Sequence, residues 1–80
     1  MSTPSIPHDR ELDASGLACP LPIVKTKKAL SSMSPGQVLR VLSTDPGTAD
    51  DMPALAEALG DALLWSGREG DHHVFLLKKA

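Results

Sequence analysis

At 80 residues the chain has the length of one small domain, and its 41% hydrophobic content is that of an ordinary globular fold. Eight Lys and Arg against ten Asp and Glu leave a formal charge of −2, which excludes a global positive field for a polyanion; one Trp, one Phe and no Tyr leave no platform for stacking bases. Nucleic acid is therefore not an expected partner, and a single cysteine, unable to form an internal disulfide, points to a reducing compartment rather than a small secreted scaffold.

Residues 1–9 carry two prolines and few apolar groups and read as a mobile tail outside the folded unit, which is expected over residues 10–80. This leader has neither the basic start nor the apolar run of a signal peptide, and no stretch approaches the length of a membrane span, so a cytoplasmic location is expected. Arg10–Ala14 alternates weakly and meets Ser15-Gly16, as a short strand ending in a turn does. From Pro20 the period changes. Ile23, Thr26, Leu30 and Met33 fall on one helical face and Lys25, Lys28 and Ser32 on another, and Ser34-Pro35-Gly36 ends the helix.

Gln37–Ser43 is apolar at nearly every position, which predicts an interior strand with neighbours on both edges. Thr44-Asp45-Pro46-Gly47 reads as a turn, and Thr48-x-x-Asp51 as a capping box before a second helix whose stripe is Met52, Leu55, Ala56 and Leu59. Pro53 conflicts with so early a cap and moves the expected helix start toward Asp51 or Met52; Gly60 is the stop. Ala62–Ser66 and His73–Lys78, flanking Gly67–Asp71, form a predicted antiparallel pair. The order β-α-β-α-β-β in so short a chain predicts a two-layer α/β sandwich, with a four-stranded mixed sheet and both helices on one face.

Cys19 stands in Ala18-Cys19-Pro20-Leu21-Pro22, at the junction of loop and helix. Proline is tolerated in a first helical turn, whose N–H groups lack intrahelical partners, so the spacing places Pro20 at the first helical position and Cys19 as the cap. The free N–H groups of Leu21 and Ile23 and the helix dipole would then favour an anion. Dipole terms of roughly 1–2 kcal/mol correspond to a thiol pKa lowered by about one unit. The expected consequence is a thiolate nucleophile that needs no base, with Lys25, Lys27 and Lys28 adding little.

What such a thiol does is narrowed by what accompanies it. A dithiol oxidoreductase needs a resolving cysteine, and the second position of Cys-x-x-Cys is Pro22 here. A cysteine hydrolase needs a base, and no spacing ties His8, His72 or His73 to Cys19. A group carried on sulfur needs only an exposed nucleophile, and a persulfide on Cys19 would meet no internal thiol to discharge it.

Gly16-Leu17-x-Cys19-Pro20-x-Pro22, Ser34-Pro35-Gly36, Asp45-Pro46 and Asp51-Met52-Pro53 together resemble the TusA/SirA family of small sulfur carrier proteins, from about Glu11 to Lys79. That resemblance implies a β-α-β-α-β-β sandwich. It also implies that Cys19 takes persulfide sulfur from a donor protein, a cysteine desulfurase or rhodanese-type sulfurtransferase, and passes it to an acceptor protein. Fates in the family include tRNA thiolation, molybdenum cofactor assembly and sulfur oxidation. Many relatives carry an aromatic residue and a second cysteine where this chain has Ala54-Leu55-Ala56. The competing class is a regulatory or redox-sensing module.

Other features bear on partners. Lys25, Lys27 and Lys28 form a candidate docking patch for an acidic donor or acceptor. Asp45 ends the second strand near the Cys19 loop and is a candidate brace for it, and Gly16 supports the turn before the thiol. Adjacent strand residues point to opposite faces, so His72 and His73 do not converge on one metal ion; no metal or organic cofactor is expected. Gly67-Arg-Glu-Gly70 has the form of an RNA-binding loop, but that loop joins helices, not strands. Trp65, Phe75 and Leu77 are expected in the core, or on the uncovered sheet face as a surface for partners.

Overall fold

The computed structural model describes residues 7–80. Strand β1 (Arg10–Ala14), helix α1 (Leu21–Ser31), β2 (Val38–Ser43), α2 (Pro46–Leu59), β3 (Ala62–Glu69) and β4 (His72–Lys78) follow in the expected order. The sheet runs β1-β2-β4-β3, with β1 parallel to β2 and the other two pairings antiparallel. It is a mixed sheet, and β2 is interior as its apolar run predicts.

The two faces of the sheet are built differently. Leu39 opposes Leu77 and Val41 opposes Phe75, and these four, all fully buried, meet Leu30 and Met33 from the α1 side and Met52 and Ala56 from α2. Both helices therefore cover the same face. On α1 the buried positions are Pro22, Thr26 and Leu30, spaced by four, and half-buried Ile23 packs against the core beside them. On the other face the residues in register are Trp65, Leu76, Arg40 and Glu11, one from each strand. Arg40 pairs there with Glu11 at 2.6 Å and Glu69 at 3.3 Å. The Trp65 ring lies so close over Gly67 that a Cβ at that position would come within 2.4 Å of it. Val74 and Leu76 are buried on this face without any helix above them. Phe75 and Leu77 are thus core residues, and Trp65 belongs to the face the helices leave open.

Several boundaries differ from expectation. The helix α2 starts at Pro46, not near Asp51, with Asp45 as its N-cap and proline at the first position. Thr48 is not a cap: it is buried with Met52 and Ala56 in the stripe that seats α2, and that burial carries the helix through Pro53. The last two strands extend to Glu69 and from His72, leaving Gly70-Asp71 as the turn; Gly70 has φ +62°, a value glycine adopts without steric cost. Asp9, expected in the tail, is bound to β2: its N–H donates to the Val38 carbonyl and its carboxylate accepts the Val38 N–H, both at 2.8 Å. Residues 1–6 of that tail lie outside the described residues.

Candidate functional site

Because β1 and β2 are parallel, both helices that follow them start at the same edge of the sheet. The loop from Ser15 to Pro20 crosses this edge. Its entry turns at Gly16, whose φ of +80° favours glycine and whose N–H donates to Thr44 Oγ1 at 2.8 Å. The loop is therefore tied to the end of β2 through Thr44. Asp45, the expected brace, is half-buried beside it. Its N–H donates to Ser43 Oγ at 3.2 Å, and its Oδ2 accepts from Thr48 Oγ1 at 3.4 Å. Ser43 and Thr48, both fully buried, are themselves linked at 3.1 Å. This chain of hydroxyls fixes the start of α2 against the end of β2.

Cys19 is exposed, and the peptide bond to Pro20 is cis. The Leu21 N–H donates to the Ala18 carbonyl at 2.9 Å, closing a turn with Cys19 and Pro20 at its centre, and the Val24 N–H reaches the Pro20 carbonyl at 3.0 Å. Pro20 is accordingly the N-cap of α1 and Pro22 its second residue, one step later than the spacing predicted. The cysteine lies outside the helix, and the Leu21 N–H expected to face an anion is already satisfied.

A second helix sets the environment of the sulfur. Gly47 and Asp51 lie one turn apart on α2 and both face Cys19: a Cβ at Gly47 would come 3.7 Å from the Cys19 Cβ, and Cys19 Sγ donates to Asp51 Oδ2 at 3.2 Å. The hydrogen bond from the thiol to Asp51, then partial desolvation, then the negative charges of Asp51 and Asp45, push the Cys19 thiol above its ordinary value. The expected depression is overturned. A helix start presents about half an elementary charge spread over several N–H groups, whereas Asp51 brings a whole charge into contact with the sulfur.

Around the thiol, Leu21 and Val24 are 48% and 55% exposed, large apolar side chains on the first turn of α1. Lys25 and Lys28 line an open groove of about 360 Å³ between α1 and β1, together with Arg10, Leu12 and Ala29. Every charged residue of this groove is a cation, and the Arg10 guanidinium donates to Ser32 Oγ at 2.7 Å within it. Lys27 is exposed but does not line the groove, so the three lysines of the sequence divide. The structure thus brings together Gly16, Cys19, Asp45 and an acidic residue, Asp51, whose spacing from Thr48 predicts a helix cap instead.

Residues 10–79 match the family model described as sulfurtransferase TusA. The chain belongs to the TusA family. It is 54% identical over 72 residues to the sulfur carrier protein TusA of Allochromatium vinosum, covering 90% of this chain and 95% of that one. It is 46% identical over 71 residues to the putative sulfur carrier protein YrkI of Bacillus subtilis, at 89% and 95% coverage. Among solved structures, a SirA-like protein from Desulfitobacterium hafniense superposes with a TM-score of 0.77 at 24% identity, over 88% of this chain and 96% of that one, and shares its fold. Within the TusA pattern, the Asp51-Met52-Pro53 segment was the available signal for Asp51, but its spacing from Thr48 matched a cap equally well. No helix among the described residues is long and apolar enough to cross a membrane.

Proposed function

We propose that this chain is a sulfur carrier that accepts a sulfane sulfur on Cys19 and relays it between proteins, acting as a sulfurtransferase component with no small substrate of its own. The observation that carries this reading is an exposed thiol, the only one in the chain, held at the edge where two helices begin. Its 54% identity to a relative named a sulfur carrier supports the same role. In the loading step Sγ attacks the terminal sulfur of a donor persulfide. A new S–S bond forms at Cys19, the donor's S–S bond breaks, and its electron pair departs on the donor cysteine. The Cys19 proton ends on that departing sulfur or in solvent, so no oxidant is consumed. Discharge repeats the exchange with the acceptor's nucleophile.

The donor is of the cysteine desulfurase or rhodanese type, and the acceptor belongs to tRNA thiolation, molybdenum cofactor assembly or sulfur oxidation. Both dock over the apolar Leu21–Val24 turn beside the thiol, and Arg10, Lys25 and Lys28 attract an acidic segment of the partner. The compartment is the cytoplasm. Intact-mass spectrometry after incubation with a desulfurase plus cysteine, or a rhodanese plus thiosulfate, tests the role. A gain of one sulfur that reductant removes and that Cys19→Ser lacks is the expected result. No gain from either donor, with Cys19 still alkylatable, would overturn it in favour of a redox-sensing or regulatory module.

A further inference from the structure

The contact between Cys19 and Asp51 has a geometry that a surface accident would not hold. Asp51 follows Gly47 by one helical turn, and α2 is seated by Thr48 and Met52, both fully buried. The helix that carries Asp51 is therefore fixed against the sheet, and the exposed carboxylate reaches the thiol from it. Close approach of the α2 backbone at Gly47 brings the helix to the cysteine, and Oδ2 of Asp51 accepts the Sγ hydrogen at 3.2 Å. The charged groups around Sγ are one-sided. Asp51 and Asp45 face it from α2 and its cap, and the loop of residues 15–20 contains no other ionisable side chain. The first cation of α1, Lys25, lines the groove on the β1 side.

We infer that Asp51 is a latch on the carrier sulfur: its carboxylate holds the Sγ proton, so the unloaded chain presents a thiol to solvent and becomes nucleophilic only against a donor persulfide. The inference rests on the sulfur-carrier reading for its purpose, not for its chemistry. Only a thiolate is a good nucleophile toward small electrophiles, so a thiol kept protonated is protected while it waits empty. Loading remains balanced. The Cys19 thiol and the donor persulfide become the Cys19 persulfide and the donor thiol, with the proton released from the Asp51 hydrogen bond passing to the donor's departing sulfur. The specificity gained is for a partner that supplies its own proton acceptor at the point of attack.

The test is the pH dependence of Cys19 alkylation by iodoacetamide, a neutral electrophile, in the full chain and in Asp51→Asn, which preserves the size of an exposed side chain. In Asp51→Asn the inflection is expected at lower pH, with several-fold faster alkylation at neutral pH and rates that converge in alkali, where both sulfurs are ionised. Asp51→Glu keeps the charge but displaces it, and its inflection is expected between the two. An inflection in Asp51→Asn that stays in place or moves up, in a protein whose circular dichroism matches the parent, overturns the latch. Sulfur loading read by intact mass on the parent separates the two ideas. Loading without a shifted inflection removes the latch and leaves the carrier; a shifted inflection without loading removes the carrier and leaves the latch.

Discussion

The two helices begin at one edge of the sheet and present opposite chemistry there. The start of α1 is preceded by a turn that consumes the Leu21 N–H, with prolines at the cap and at the second helical residue. It keeps few donors for an anion, and what it displays is apolar, Leu21 and Val24. The start of α2 is acidic: Asp45 is its cap and Asp51 projects one turn above Gly47 toward the sulfur. A cysteine at a helix N-terminus is ordinarily read as activated. Here the neighbouring helix decides the matter, because a carboxylate in contact outweighs dipoles whose N–H groups are turned to other partners.

The comparison breaks most severely if α2 is unseated. Met52→Ala removes a fully buried side chain from beneath that helix and is expected to cost about 2–5 kcal/mol, read as a lowered midpoint in urea. Thr48→Val keeps the shape but strips the hydroxyl that joins Ser43 to Asp45, with an expected loss of about 1–3 kcal/mol. If the alkylation inflection of Cys19 did not fall in Thr48→Val, the seating of α2 would not be what aims its carboxylates. Asp45→Asn sharpens the contrast between the two acids. It removes a charge that acts on the thiol through space without a hydrogen bond, so the inflection is expected to fall by less than in Asp51→Asn. An equal or larger fall would show that field, not contact, governs the thiol.

Alkaline stability gives the smallest effect. A thiol whose value is raised in the fold contributes stability that is complete below the value of an unfolded cysteine and is lost as pH rises through the folded one. Denaturation midpoints of the parent are therefore expected to decline slightly across that alkaline window, and those of Cys19→Ser to decline less. A steeper decline in the serine variant would contradict the sign of the Asp51 contact.

Much of the molecule was legible in the chain. The helical spacing of Thr26, Leu30 and Met33 and the apolar run of β2 report burial, and burial follows from local periodicity. The single thiol between Gly16 and two prolines was equally plain. The start of α2 was misplaced because Thr48-x-x-Asp51 satisfies a local capping pattern, while the burial of Thr48 depends on Ser43 and on β2 beside it. In the sequence the lysines read as one patch, but which of them share a groove depends on where β1 brings Arg10.

By itself, the sequence determined the order of elements, the family pattern and the one thiol of the chain, since each is written in residue type and short-range spacing. The protonation of that sulfur was decided only by tertiary structure. Asp51 is 32 residues from Cys19. A charge acts through distance in space, and only the parallel pairing of β1 with β2 brings the two helix starts to one edge, where carboxylate and thiol meet.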